Sequence, residues 1–152
     1  MTQTNYDMML RQARAIIEDV PHFTANLANL SALIFTALDD VNWAGFYLTQ
    51  GDRLILGPFQ GSVACVEIPY GKGVCGTAAA EDITQLVPDV HLFKGHIACD
   101  SASRSEIVIP VHRDGEVVGV LDIDSPSLAR FTDDDREGLE RLVRLIEEVL
   151  FR

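Results

Sequence analysis

The chain has 152 residues, enough to bury a core without disulfide support, and its 47% hydrophobic and 23% charged side chains are the balance of a globular domain. Twelve basic against twenty-three acidic residues leave a net charge of −11, and the few Lys and Arg form no cluster, which argues against a nucleic-acid backbone or an anionic membrane as partner. No apolar run approaches a membrane span and MTQTNYDMML lacks the pattern of a signal peptide, so the expected compartment is the cytoplasm, where thiols stay reduced.

No repeat, low-complexity tract or linker divides the chain, and we read residues 1–152 as one domain. Tyr6, Leu10, Ala13, Ile17 and Val20 fall at helical spacing, and Pro21 ends that helix. Leu27, Leu30, Ile34 and Leu38 define a second helix. VNWAGFYLT (41–49) reads as a strand, with RLILGPF (53–59) as its hairpin partner and ACVEIPY (64–70) as a third strand. GVCGTAAAED (73–82) predicts a short helix entered through glycines, followed by a short strand at 84–87 and a long loop, 88–105. EIVIPVH and VVGVLDID are two further strands joined at Arg113-Asp114-Gly115. Thr132 with Asp135 is the start of a capped helix whose Leu139, Leu142, Val143, Ile146 and Leu150 form one stripe. Two helices, antiparallel strands around a short helix, and a final helix make an α+β domain.

The turn at Asp114-Gly115 decides which side chains share a face, because a one-residue slip turns a strand over. A three-residue loop with Gly115 in a bulge sets Ile107, Ile109 and Val111 opposite Leu121, Gly119 and Val117, one continuous apolar face. The other face then carries Glu106 opposite Asp122, with Asp124 beyond and His112 near the turn. A two-residue loop would set Glu106 against Ile123 among apolar groups, so the bulged register is expected. Three carboxylates converging beside apolar strands can raise the pKa of one member, supplying a proton donor at neutral pH. They can also bind a metal or a ligand ammonium group.

In NWAGFYL, strand alternation points Trp43 and Tyr47 one way with Gly45 between them, and the two rings are expected to flank a slot for a small apolar group or a cation. Of the three cysteines, Cys65 falls on a strand, Cys75 near a helix N-terminus and Cys99 in a polar, Ser-rich loop. Their spacings, ten and twenty-four residues, are not those of a zinc site, and His91 and His96 beside Cys99 add only a weak one, so no metal is expected. An odd count in a reducing compartment also argues against a disulfide framework. Three cysteines within 35 residues, two in Gly- or Ser-rich segments, favour thiol chemistry: a nucleophile, a resolving thiol and a relay. PYGKGVCGTAA (69–79) lacks the Gly-Lys-Ser/Thr ending of a phosphate loop, though its backbone N–H groups could hold a carboxylate.

Through NWAGFYL, GPFQG, ACVEIPYGKGVCGTAA, HIACDSASRSEIVIPV and GVLDIDSP, the chain closely resembles the free methionine-(R)-sulfoxide reductases, from about residue 25 to the final helix. The resemblance implies a GAF domain with a six-stranded antiparallel sheet flanked by helices, here with the N-terminal helix pair and the C-terminal helix. It implies reduction of the R-sulfoxide of free methionine with thioredoxin as electron donor. By motif, Cys99 resembles the nucleophile, Cys65 its resolving partner and Cys75 an auxiliary resolver. Glu106, Asp122 and Asp124 resemble the acids that bind substrate and assist proton transfer, and Trp43 and Tyr47 the pocket for the methyl end. Such a thiol cycle needs no metal, flavin or nicotinamide, so no cofactor is expected. A homodimer is the assembly that the resemblance and the N-terminal helix pair suggest. Two rivals remain: a non-catalytic GAF sensor of a small ligand, and a redox-switch protein. The first leaves the cysteines unexplained; the second leaves Trp43, Tyr47 and the acids unused.

Overall fold

A computed structural model of the chain describes residues 3–96 and 102–152. In chain order the elements are α1 (Tyr6–Ile17), α2 (Phe23–Ala37), β1 (Trp43–Gln50), β2 (Arg53–Gly61), β3 (Glu67–Pro69), α3 (Gly73–Glu81), β4 (Gln85–Val87), a 3-10 turn (Val90–Leu92), β5 (Ser105–Arg113), β6 (Glu116–Ser125) and α4 (Asp133–Leu150). The strands form one antiparallel six-stranded sheet in the order β3-β2-β1-β6-β5-β4.

Each face of the sheet closes a different core. Ala44, Phe46, Ile107, Ile109, Leu121 and Ile123 point one way and bury against α1, α2 and α4. The stripes expected on α2 and α4 supply Leu27, Leu30 and Ile34, and Leu139, Leu142, Val143 and Ile146. The α4 start is a capping box: Thr132 Oγ1 accepts from the N–H of Asp135, and the Asp135 carboxylate accepts from the N–H of Thr132. Tyr6 lies over Gly138, where a Cβ would sit 2.3 Å from its ring, and its hydroxyl donates to Asp135 at 2.6 Å. This contact ties the first helix to the last.

The other face carries Trp43, Tyr47, Val108 and Val120 and packs under α3 and the segment after β2. Leu48, at the far end of β1, stays with the first core.

Three local expectations are corrected. α1 stops at Ile17, because the chain turns through Asp19 at φ 64, leaving Val20 exposed. The strand expected over 64–70 shrinks to Glu67–Pro69: Ala64 and Cys65 instead leave the ladder and pack over the second core. The β5–β6 turn is not the three-residue loop. Asp114 and Gly115, both at positive φ, form a two-residue turn, and the bulge lies where Val111 pairs with Gly119 but His112 with Val117. The extra residue, Val118, restores the parity that the shorter turn had removed. The expected faces therefore survive, but every partner moves by two: Ile107 opposes Ile123, and Glu106 opposes Asp124 rather than Asp122. His112 does not join the acids. Its ring is held between Asp82 at 2.6 Å and Glu147 at 2.7 Å.

A second bulge shapes the aromatic strand. Gly45 pairs with Phe59 and Tyr47 with Leu56, so Gly57 and Pro58 together oppose Phe46. Here a Cβ on Gly45 would lie 2.3 Å from Phe59 Cβ and 2.7 Å from its Cα. Backbone cannot retreat as a flexible side-chain tip does. We expect Gly45→Ala to cost about 2–3 kcal/mol, the usual scale of overpacking, lowering the Tm by roughly 4–10 °C in a thermal melt. A variant melting within about a degree of wild type would show that β2 yields freely.

Candidate functional site

Adjacent rows of the sheet build the site. In one row Trp43 of β1 neighbours Asp124 of β6, which neighbours Glu106 of β5; in the next, Gly45 neighbours Asp122, which neighbours Val108. At Gly45, beside Asp122, the place of a side chain is taken by Phe59 of β2, while Trp43 and Tyr47 stand on the same face of β1, before and after it. Strand alternation thus brings the three expected acids and both expected aromatics into one pocket, closed above by Val74 and Cys75 at the start of α3.

The expected slot between the two rings is absent. Trp43 and Tyr47 stack on each other at 5.9 Å, and Trp43 also stacks on Phe59 at 5.0 Å, so the aromatics form a wall rather than a cleft. Each polar end is anchored: Trp43 Nε1 donates to the Ser62 carbonyl at 3.1 Å, and the Tyr47 hydroxyl donates to the Cys65 carbonyl at 2.8 Å. Phe59 carried no signal beyond being apolar in a strand, since its role depends on the β2 bulge.

The acids are deeply buried, with Glu106, Asp122 and Asp124 at 9%, 5% and 9% exposure. Burial pushes the Glu106 carboxyl well above the usual range, and the neighbouring charges of Asp122 and Asp124 push it further. Burial also raises Asp122, against hydrogen bonds from Glu106, Cys75 and Asp124 that hold it down. Of these two, Glu106 is thus the one pushed further toward its protonated form. Among the described residues Asp122 Oδ1 has no hydrogen-bond partner, which leaves a buried, unsatisfied acceptor in the pocket lining.

Cys75 is a buried free thiol whose Sγ lies 3.8 Å from Glu106 Oε2. Burial and then the three carboxylates push its pKa well up, so it stays a thiol and is a poor nucleophile. Cys65 is half-buried against the same core. Cys99 lies outside the described residues.

Two further groups line the pocket: Ser103, which carried no signal of its own, and His96, which the sequence offered only as a weak metal ligand. Ser103, from the Ser-rich stretch, is buried with its hydroxyl 3.4 Å from Asn42 Oδ1. His96 also lines the pocket; burial and then His91 lower its pKa, favouring the neutral ring. The glycine entry to α3 lies at the pocket, where the Gly73 N–H donates to the Gly95 carbonyl at 3.1 Å. Lys72 provides no side-chain cap, and Gly73, Val74 and Cys75 border the pocket. A helix start of this kind offers backbone N–H groups to a carboxylate.

A six-stranded antiparallel sheet with helices on one side and a lidded pocket on the other defines a GAF domain, and the family model for the GAF domain matches residues 12–150. The chain is 54% identical to the free methionine-R-sulfoxide reductase of Escherichia coli over 145 residues, 95% of this chain and 88% of that protein. It superimposes on the reduced fRMsr of Staphylococcus aureus with a TM-score of 0.94 at 56% identity, covering 99% of both chains. A substrate complex of the free methionine-R-sulfoxide reductase of Neisseria meningitidis matches with a TM-score of 0.93 at 42% identity, over 99% of this chain and 93% of that one. The chain belongs to the GAF-domain family of free methionine-R-sulfoxide reductases.

Proposed function

We propose that this protein reduces the R-sulfoxide of free methionine to methionine by a thiol cycle. The observation that carries the reading is the pocket itself, in which a buried acid pushed toward its protonated form, an unpartnered carboxylate oxygen, an aromatic wall and a helix start converge. These match the sulfoxide oxygen, the ammonium, the methyl end and the carboxylate of a free amino-acid sulfoxide. In relatives, the substrate complexes are of proteins with this fold.

In this reading the Cys99 thiolate attacks the substrate sulfur while Glu106 protonates the departing oxygen. The S–O bond breaks, methionine leaves and Cys99 carries the oxygen as a sulfenic acid. The Cys65 thiol displaces that oxygen as water and a disulfide forms. Cys65 being disulfide-bonded while Cys75 is a free, deeply buried thiol supports Cys65 as the resolver over Cys75. A thioredoxin-type dithiol returns the pair to the reduced state, and the stoichiometry closes: one sulfoxide and two thiols yield methionine, disulfide and water. Among the described residues no helix is long and apolar enough to cross a membrane; we propose the cytoplasm as the protein's compartment and a homodimer as its assembly.

The test is methionine formed from each diastereomer with dithiothreitol as reductant. Turnover of the R form only is expected. N-acetylmethionine R-sulfoxide should be poorer by roughly 30-fold or more, because a buried carboxylate then loses its ammonium partner. Binding of sulfoxide without turnover would favour a sensor. Equal rates for the free and acetylated substrates would remove the ammonium from the acidic pocket.

A further inference from the structure

We propose that Cys75, Glu106 and Asp122 form a binding site for a thiophilic dication of the zinc class, and that the bound ion closes the pocket to substrate. From sequence the acids stood open to a metal or an ammonium, and the cysteines and histidines offered only a weak site; the fold adds the Cys75 thiol to carboxylates from two strands, a set no linear pattern displays. One ligand atom from each of the three residues lies within 4.8 Å of the others. Zinc bonds of about 2.3 Å to sulfur and about 2.0 Å to oxygen, at a tetrahedral angle, place sulfur and oxygen about 3.5 Å apart. Cys75 Sγ and Glu106 Oε2 already stand at 3.8 Å, so binding needs only a small contraction.

The second observation is independent of that spacing. Among the described residues Asp122 Oδ1 has no hydrogen-bond partner, and its residue is only 5% exposed. An uncompensated acceptor in an apolar setting, beside two further buried acids, is offset by a cation. The thiol decides which cation. Calcium and magnesium take oxygen ligands, whereas one sulfur with two carboxylate oxygens suits zinc and its borderline neighbours. As the bonds to the Cys75 sulfur and the Glu106 carboxylate form, the thiol proton and the Glu106 proton both leave to solvent, and no electrons are exchanged. Three protein ligands leave a coordination position open, the arrangement of a site that exchanges its ion rather than a closed structural one. A substrate ammonium would satisfy the same Asp122 oxygen, so ion and substrate compete. That competition rests on the proposed reductase reading; the metal site does not.

Cobalt(II) is the probe, because its bond to a thiolate gives a near-ultraviolet charge-transfer band. The Cys65→Ser/Cys99→Ser protein leaves Cys75 as the single thiol. Titration should give a saturable band with one cobalt per chain, bleached by zinc. Adding Cys75→Ser should abolish the band, and adding Asp122→Asn instead should weaken binding by about tenfold or more. No band at saturating cobalt, a band that survives Cys75→Ser, or unchanged affinity in Asp122→Asn would overturn the site. Free methionine R-sulfoxide should displace the cobalt. A band that sulfoxide leaves untouched overturns the closing of the pocket and counts against the substrate reading, while the metal-binding arms stand or fall on their own.

Discussion

Cys99→Ser is expected to lower turnover of methionine R-sulfoxide to background, a loss on the order of 10⁵-fold, with dithiothreitol present in excess. A serine hydroxyl is not ionised at neutral pH and is a far weaker nucleophile toward sulfur than a thiolate. The exchange of sulfur for oxygen changes little volume, so with both proteins reduced the thermal melt should match wild type and separate lost chemistry from lost folding. Cys65→Ser should behave differently. It spares the first step, so prereduced protein should yield one methionine per chain and retain a trappable sulfenic acid. Near-normal turnover by Cys99→Ser would show that the nucleophile lies elsewhere. A predominant Cys75–Cys99 link after sulfoxide treatment would reassign the resolver.

Glu106→Gln is expected to lower kcat/KM by about 10²- to 10⁴-fold, because the amide keeps the shape but cannot deliver a proton to the leaving oxygen. In the wild type, activity should fall as pH climbs through the raised Glu106 pKa, since only the protonated acid donates. The variant should lose that limb. Stability carries the same signature. A carboxyl whose folded pKa lies above its unfolded value contributes stability fully present below the unfolded pKa and lost as pH rises through the folded one. Melts between about pH 5 and pH 9 should therefore slope downward for wild type and less steeply for Glu106→Gln, with Asp122 supplying the remaining slope in the same direction. Identical slopes would show that Glu106 is not the proton holder. An unimpaired Glu106→Gln would pass the donor role to Asp122 or Asp124.

Much of the architecture was legible because it depends on period and local chemistry. The stripe on α4, the Thr132–Asp135 capping box and the alternation that sends Trp43 and Tyr47 one way and Phe46 the other are properties of short segments. Motif resemblance added the GAF class and the candidate roles of Cys65, Cys75 and Cys99. The register of β5 and β6 shows where such reading stops. The expected loop and the observed pair of a two-residue turn and a bulge at Val118 share the same parity, so the acids reach the predicted face. Hydrophobic patterning determines parity, since one residue of slip would bury Glu106 among apolar side chains. It does not determine a shift of two, which leaves every side chain on its own face. Only backbone geometry at Asp114-Gly115 and the packing of β6 against β1 choose between them, and that choice makes Asp124, not Asp122, the partner of Glu106.

The site divides along the same line. Residue types and alternation were enough to nominate Glu106, Asp122, Asp124, Trp43 and Tyr47, because cross-strand neighbours on one face follow from the pleat. Tertiary structure alone turned the two rings into a wall. The β2 bulge pushes Phe59 against Gly45 and onto Trp43, a contact between residues whose distance along the chain carries no periodic signal. Packing α3 onto the same face likewise set Cys75 beside the acids, and the burial raised the pKa values of Cys75, Glu106 and Asp122. Sequence determined which chemical groups were present and which way they faced; burial, and the order in which it couples them, arose only when separate elements closed over one another.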